Sequence, residues 1–397
     1  MLCGKMSCPL IVKAQSLART NMRITSPHIS GSTPPGVFVG RRGYPKVSIG
    51  PMVPPFSGKT GILDTPELWM GKEIKEIVDY RFSLIRGKAP ASIHDAQSGT
   101  RLLESLQELA LGKRPVDAEI TLSKVPRGTL TLGGDISPFG PSAQLRSFKA
   151  SDISVDHKIE NAFYDRDLKA SNAVVNLYDG GALVSRIQRA FSLGMFGISK
   201  KRRLVPTRWS ITAIDTILSQ NLINRIKQKE TIDEYRVHSF GYLDNYYVAI
   251  LMPERWSFEW IEAWFPGTTW NPDERAVRPA MMGDFETYWG RNTYPDVGGC
   301  YYSCRLAVAE KLNQQDRQAS ALVLREIHPG YILPVGVWNV RESIRNMLKI
   351  ESHKFDNFQA AFLHAMKKLT IPIKHWIGRS ELLKQALFQR KITEFTK

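Results

Sequence analysis

Hydrophobic positions along the chain follow two periods, and Gly, Pro and Asn punctuate the changes between them. A period of two predicts short strands at 37–39 and 46–49. Gly40-Arg41-Arg42-Gly43-Tyr44-Pro45 is the turn that joins them. The same period predicts strands at 118–125 and 129–132, the second followed by a Gly133-Gly134-Asp135 loop. Residues 235–252 form a hairpin of aromatic strands turning at Leu243-Asp244-Asn245, and 321–327 reads as a buried strand. A period of 3.6 predicts a helix over 65–85, opened by Thr65-Pro66 as cap and first-turn residue. It predicts another over 93–111, with Leu102, Leu103, Leu106, Leu109 and Leu111 as its apolar stripe. Further helices fall after the Asp179-Gly180-Gly181 loop, from 204 to about 229, and at 257–265, 299–313, 340–349, 356–369 and 380–388.

Strands and helices mix without regular alternation. That order predicts an α+β fold, with mixed sheets and packed helices in two regions and a flexible C-terminal tail. The linker 266–278 is the best boundary. It separates a Cys-containing segment (1–23) and an N-terminal region (24–265) from a C-terminal region (279–388) and a tail (389–397). No internal repeat is present.

Composition narrows the function. Hydrophobic content of 43% in 397 residues fills a core, so the chain is not a disordered one. The nine Trp and thirteen Tyr concentrate between 242 and 302. Lys and Arg outnumber Asp and Glu by 54 to 38, giving +16 and a pI near 9.6. That surplus favours a polyanionic partner, nucleic acid ahead of an anionic membrane. No apolar run approaches the roughly 20 residues of a membrane span, and Lys13 cuts off Pro9-Leu10-Ile11-Val12 before it makes a secretory leader. The expectation is a cytoplasmic, nucleoid-associated protein with no membrane partner. Four Cys do not make a disulfide scaffold in that compartment.

Several stretches could carry chemistry. Lys200, Lys201, Arg202 and Arg203 cannot all be buried, so they face water or a phosphate backbone and are DNA-binding candidates. Arg208 follows at the start of the next helix, whose N-terminus adds a weak anion preference. Arg41 and Arg42 place two guanidinium forks on a tight turn, a geometry suited to phosphate or to an ordinary polar tip. The densest polar-aromatic stretch is 283–300. It offers Asp284 and Glu286 as acids, Arg291 as a phosphate ligand, and Gly298-Gly299 where a phosphate can approach closely. Glu259 and Glu262, among Trp256, Trp260 and Trp264, read as neighbours on one helical face. A nucleotide or flipped base stacking there, with carboxylates at work, is one reading; an aromatic core edge is the other. Cys3, Cys8, Cys300 and Cys304 would make a four-thiolate zinc site if the pairs met across the fold, although neither spacing is the tight C-x2-C. The eight His lack metal spacing, and no P-loop, G-x-S-x-G or G-x-G-x-x-G is present.

The last residues include Gln389, Ile392 and Phe395 in a Q-x-x-I-x-x-F pattern. One helical turn would put Ile392 and Phe395 into a hydrophobic pocket with Gln389 bonding beside it. The pattern resembles the box that ties replication and repair proteins to the sliding clamp PCNA, with Thr396 in place of the usual second aromatic. From Arg341 onward the chain holds 12 Lys and Arg against 5 Asp and Glu, so the region before the tail is basic as well.

The chain as a whole resembles the archaeal Nre DNA-repair family. The likeness rests on Ser32-Thr-Pro-Pro-Gly-Val-Phe-Val-Gly-Arg-Arg-Gly-Tyr-Pro-Lys-Val47, on Leu204-Val-Pro-Thr-Arg-Trp-Ser-Ile-Thr-Ala-Ile-Asp215 and on Trp256-Ser-Phe-Glu-Trp-Ile-Glu-Ala-Trp-Phe-Pro266. It continues through Gly298-Gly299-Cys300-Tyr301-Tyr302 to Pro334-Val-Gly-Val-Trp-Asn-Val-Arg341. The resemblance implies N- and C-terminal Nre regions, a role in DNA damage repair, and clamp binding through Gln389, Ile392 and Phe395. Members of the family often begin with a four-cysteine cluster. Here Cys3 and Cys8 look like only its second half, so either the start is truncated, or zinc is lost, or Cys300 and Cys304 supply the missing pair. The resulting reading is a repair factor that binds DNA through basic surfaces and is recruited to the clamp. The alternatives are an enzyme acting on a nucleotide, nucleotide sugar or modified base at 284–299, and a non-catalytic adaptor linking the clamp to an excision-repair nuclease.

Overall fold

A computed structural model of the protein describes residues 8–128 and 139–389. The strand expected at 129–132 and its glycine loop lie outside those residues. The chain divides into two compact units that meet in sequence at Leu218 and Ser219.

The N-terminal unit runs α1 (Pro9–Met22), β1 (His28–Thr33), β2 (Val37–Val39), β3 (Lys46–Val53), α2 (Ile74–Ser83) and β4 (Ile85–Ser92). It continues with α3 (Asp95–Ser98), α4 (Arg101–Ala110), β5 (Val116–Leu122), β6 (Ser142–Ala150), α5 (His157–Tyr164), α6 (Ala170–Asp179) and α7 (Val184–Ser192). Then α8 (Thr207–Ile226) holds the sequence division. Its sheet has the order β1-β5-β6-β4-β3-β2, antiparallel except where β4 meets β6. Ile29, Val53, Ile85 and Ile120 are buried together on that sheet.

Two expected helices are shorter than their apolar patterns. The first begins only at Ile74, where Glu73 and Glu76 close a reciprocal capping box; Pro66–Leu68 is a separate 3-10 turn. The second is split at Gly99, whose φ of 64° breaks the turn, and restarts with Thr100 accepting the Leu103 N–H. Its stripe is real: Leu103, Leu106 and Leu109 are fully buried.

The second unit contains β7 (Tyr235–Tyr242), β8 (Asn245–Met252), β9 (Ser257–Trp264), β10 (Ala280–Glu286), α9 (Gly299–Gln314) and β11 (Ser320–Ile327). After these come α10 (Trp338–Lys349), β12 (His353–Phe355), α11 (Phe358–Met366), α12 (Ile373–Arg379) and α13 (Glu381–Phe388). The sheet order is β10-β9-β11-β8-β7-β12, with β9 and β11 parallel. The fold is therefore α+β with mixed sheets, as the irregular element order predicts.

This sheet is covered on both faces. Ile250, Ile261 and Leu322 pack with Phe362, Trp376 and Leu383 of α11–α13. On the other face Phe258 meets Tyr301 of α9 at 5.1 Å, and Tyr247 Oη accepts from Asn339 of α10 at 3.3 Å. All eight residues of β11 are buried in consequence. The turn between β7 and β8 places Leu243 and Asp244 at φ of 51° and 54°, the two-residue geometry that matches strand twist.

Residues 257–265, expected as a helix, are strand β9. Trp256, Trp260 and Trp264 recur every four residues, a spacing that keeps one face in a helix and also in a strand. Burial of both faces removes the polar alternation that separates the two cases. The consequence falls on Glu259 and Glu262: three apart in a strand, they point to opposite faces of the sheet.

Candidate nucleic-acid interface

The hairpin of β2 and β3 carries its turn outward. Gly43 takes a φ of 82°, and the Lys46 N–H donates to the Gly43 carbonyl at 2.9 Å. Arg41 and Arg42 are exposed at this tip. Tyr44 beside them is 49% exposed, and its ring lies 5.0 Å from that of Trp209, itself 44% exposed. Trp209 stands in the first turn of α8. That helix start is fastened to the hairpin by Thr207 Oγ1, which accepts the Val39 N–H at 2.9 Å. Arg208, exposed, sits between the two anchor points.

A second pair of backbone bonds brings in the basic run. Ile93 N–H donates to Pro45 O at 3.1 Å, and Leu204 N–H donates to Ile93 O at 2.9 Å. Gln97 Nε2 also donates to the Lys200 carbonyl. Lys200 and Lys201 are thereby held in the same region as the hairpin turn, with both side chains exposed. Lys88, half-buried, has its pKa lowered first by burial and then by the Arg86 and Arg42 charges, so cations crowd here. The acid nearest in sequence to Ile93, Asp95, is used locally: its Oδ2 accepts the Ser92 N–H at 2.9 Å.

Arg202 departs from the expectation that the run faces outward. Only 8% exposed, it donates from Nε to Gly197 O at 2.7 Å and from Nη2 to Asp165 O at 2.9 Å. Its guanidinium lies 5.5 Å over Phe163, and burial lowers its pKa. Arg203 folds back half-buried, with Nη1 donating to Arg202 O at 2.7 Å. The chain resolves four adjacent cations by turning one inward onto carbonyls, which need no counter-charge. The surface is thus Arg41, Arg42 and Arg208 beside a Tyr44–Trp209 ring pair, with exposed Lys200 and Lys201 tied into the same region. Sequence reasoning missed both rings; their signal was an aromatic next to an arginine in each segment.

The carboxylates expected to do chemistry lie in the second unit and are all engaged. Glu259, on the α11–α13 face, accepts Ser380 Oγ at 2.5 Å and the N–H groups of Glu381 and Leu382 at 2.8 and 2.9 Å. It caps the start of α13. Burial raises its pKa, and these three bonds oppose the rise. Glu262, Asp284 and Glu286 share the opposite face, because Asp284 pairs with Trp260 and Glu286 with Phe258 across β9 and β10. Each is matched to an arginine: Glu262 to Arg325 at 3.1 Å, Asp284 to Arg291 at 2.7 Å, Glu286 to Arg305 at 3.1 Å. Tryptophan N–H groups complete the set, with Trp260 and Trp264 on Glu262 and Trp256 on Glu286. Asp284 also accepts the Val297 N–H at 3.0 Å, and the Arg291 guanidinium lies 4.9 Å over the Tyr301 ring. Gly298, at φ 64°, is the cap residue that starts α9 at Gly299. Acids and arginines that read as a reacting cluster are the clamp between a strand pair and a helix.

Cys300 and Cys304 are buried or half-buried thiols on α9. Burial, reinforced by the Glu262 carboxylate nearby, pushes both pKa values well up and disfavours the thiolate a zinc ion needs. Cys3 lies outside the described residues. Among the described residues no group of three His, Cys, Asp or Glu is arranged to hold a metal ion. No described helix is long and apolar enough to cross a membrane. Of the tail motif, Gln389 follows α13 in extended conformation with its N–H donating to Gln385 O at 3.0 Å; Ile392 and Phe395 lie outside the described residues.

Residues 2–271 match the family model for the N-terminal region of archaeal Nre proteins, and residues 286–395 match that for the C-terminal region. The chain belongs to the archaeal Nre family. It is 42% identical over 396 residues to the DNA repair protein NreB of Archaeoglobus fulgidus, covering all of this chain and 97% of that one. It is 35% identical to the DNA repair protein NreA of the same organism, over 95% of this chain and 93% of the relative. The match to NreA of Haloferax volcanii is 36% identical, over 86% and 83%. No solved structure matches. Two of the segments that carried the resemblance, Ser32–Val47 and Leu204–Asp215, are the two that this Nre chain brings together at the Tyr44–Trp209 pair.

Proposed function

We propose that this chain is a DNA-repair factor that holds DNA on the basic, aromatic face of its N-terminal unit and is recruited to a sliding clamp through its C-terminal tail. The observation that carries the reading is the placement of Arg41, Arg42 and Arg208 beside the exposed Tyr44–Trp209 pair, with Lys200 and Lys201 tied into the same region. Guanidinium and ammonium groups contact phosphates, and exposed rings offer stacking surfaces to unpaired bases. The names of the relatives, which are DNA repair proteins, support the same role. Engagement of every candidate carboxylate in buried ion pairs or caps favours binding over bond-breaking chemistry at 284–299.

The test is fluorescence anisotropy with a hydroxyl-ended duplex at several salt concentrations. Each phosphate contact releases counterions and contributes about 0.9 to the slope of log K against log salt. The triple variant Arg41→Ala, Arg42→Ala, Arg208→Ala is expected to lower that slope by about 2–3. An unchanged slope and affinity would remove this face from the reading. For the tail, Gln389→Ala with Phe395→Ala is expected to abolish the heat of clamp binding in calorimetry at an unchanged melting temperature. Undiminished binding would place the tether elsewhere.

A further inference from the structure

The N-terminal unit holds a cleft, of about 120 Å³, apart from the Tyr44–Trp209 face. Its walls are Pro34, Pro35 and Pro115, and its polar lining is Lys113, Arg114, Arg186 and Arg189 with Thr65. No acid lines it among the described residues. Arg189 is 8% exposed; its Nη2 donates to Asp64 Oδ2 at 3.1 Å and to Asp64 O at 3.2 Å. Arg186 pairs through Nη1 with Asp156 at 2.8 Å and donates from Nη2 to Gly112 O at 3.1 Å. Both arginines keep a buried Nε–H with no partner.

The charge count is specific. Asp156 offsets Arg186, and Asp64 with the neighbouring Glu67 offsets Arg189 and Arg81, while Lys113 and Arg114 are exposed and make no ion pair among the described residues. The remaining excess matches a dianion. A phosphate monoester carries about −1.5 to −2 at neutral pH; a phosphodiester or a carboxylate carries one charge. Size agrees: a cleft of about 120 Å³ admits a tetrahedral oxyanion. The start of α7 does not supply the preference, since Glu67 Oε1 already accepts the Ser185 N–H there at 2.9 Å. Burial, partly countered by Asp156, and the Arg189 charge beside it lower the Arg186 pKa, and a bound anion would relieve that crowding.

We propose that this cleft binds a phosphate monoester, with Arg186 and Arg189 as its floor and Lys113 and Arg114 as its rim. The group can reach it as the terminal phosphate of a DNA strand or as that of a free mononucleotide, with the attached sugar left outside. The site is independent of the DNA-binding face proposed above.

The experiment uses the full chain. Inorganic phosphate is titrated in a thermal-shift assay against chloride at matched ionic strength. Otherwise identical 5′-phosphate and 5′-hydroxyl oligonucleotides, and a nucleoside 5′-monophosphate, are then compared by calorimetry. A saturable rise in melting temperature with phosphate is expected, weakened at least tenfold in Lys113→Ala, Arg114→Ala, whose side chains are exposed and not needed for folding. Preference for the 5′-phosphate oligonucleotide assigns the site to strand ends; monophosphate binding without that preference assigns it to free nucleotides. Absence of a saturable phosphate response, or an equal response in the double variant, overturns the proposal. The Arg41, Arg42, Arg208 triple variant should keep the phosphate response, so failure of one site is read apart from failure of the other.

Discussion

Two groups of arginines in this chain use one functional group in opposite ways. Around Tyr44 and Trp209, Arg41, Arg42 and Arg208 stand in solvent with no carboxylate partner among the described residues, and a backbone-to-hydroxyl bond, Val39 to Thr207, fastens the surface. Under α9, Arg291, Arg305 and Arg325 are matched one to one with Asp284, Glu286 and Glu262, out of water and fenced by tryptophan N–H groups. The first arrangement leaves potential for a polyanion to neutralise. The second has spent it on joining a helix to a sheet. A positive sum over the whole chain does not separate them; burial and pairing do.

That contrast is sharpest under mutation. Glu262→Gln should cost about 3–5 kcal/mol in urea unfolding, because Arg325, 2% exposed, is left as a buried charge without its counter-ion. Its effect on DNA affinity should be nil. A loss within the ~0.5 kcal/mol typical of surface positions would mean the pair is solvated. The Arg41, Arg42, Arg208 variant should show the reverse pattern.

A second difference concerns pH. On the same α9–α10 face, His238 donates from Nδ1 to the Ile350 carbonyl at 3.2 Å, and burial, with Lys311 adding to it, lowers its pKa to about 4. The unfolded chain protonates this imidazole near 6.5 and the folded chain does not, so the contribution is whole above pH 6.5 and is lost as pH falls towards 4. About 3 kcal/mol of pH-dependent stability follows. His238→Gln should flatten the stability profile between those values relative to the parent, with pH-jump unfolding as the measure. An unaltered profile would place the titration elsewhere.

Within the basic run itself the comparison repeats at one-residue resolution. Arg202→Ala should destabilise by about 1–3 kcal/mol, as the Gly197 and Asp165 carbonyls lose their donors. Lys200→Ala with Lys201→Ala should leave the melting temperature unchanged and weaken DNA binding with a shallower salt slope. The smallest expected effect on stability among the buried groups is at Glu259: Glu259→Gln keeps one of the two cap N–H bonds through its amide oxygen and should cost about 1 kcal/mol in the same unfolding assay. A loss as large as that of Glu262→Gln would show that charge rather than hydrogen bonding holds the cap.

Much of the fold was legible in the residues because it is decided locally. The β2–β3 turn follows from its glycines, the β7–β8 turn from Leu243-Asp244-Asn245, and α9 and β11 from apolar stretches bounded by glycine or polar residues. Strand β9 was not legible, since tryptophans four apart satisfy either period and both faces are buried. The site was legible in parts and not as a whole. Arg41, Arg42, Arg208, Lys200 and Lys201 stand out as cations near glycine, proline or a helix start. That they share one region with the Tyr44–Trp209 pair depends on bonds between residues far apart in the chain, such as Val39 to Thr207.

The sequence by itself determined the irregular α+β order, the excess of positive charge, family membership and which short segments are special. Charge, period and turn chemistry are properties of neighbours, and neighbours are what a sequence records. Only the tertiary structure decided which charges are free. Glu259 and Glu262 part to opposite faces because the segment is a strand, Arg202 turns inward because carbonyls await it, and Arg186 and Arg189 line a cleft because α7 packs beside Pro34 and Pro115. A cation's availability depends on what surrounds it in space, and that is set by pairings the linear order does not contain.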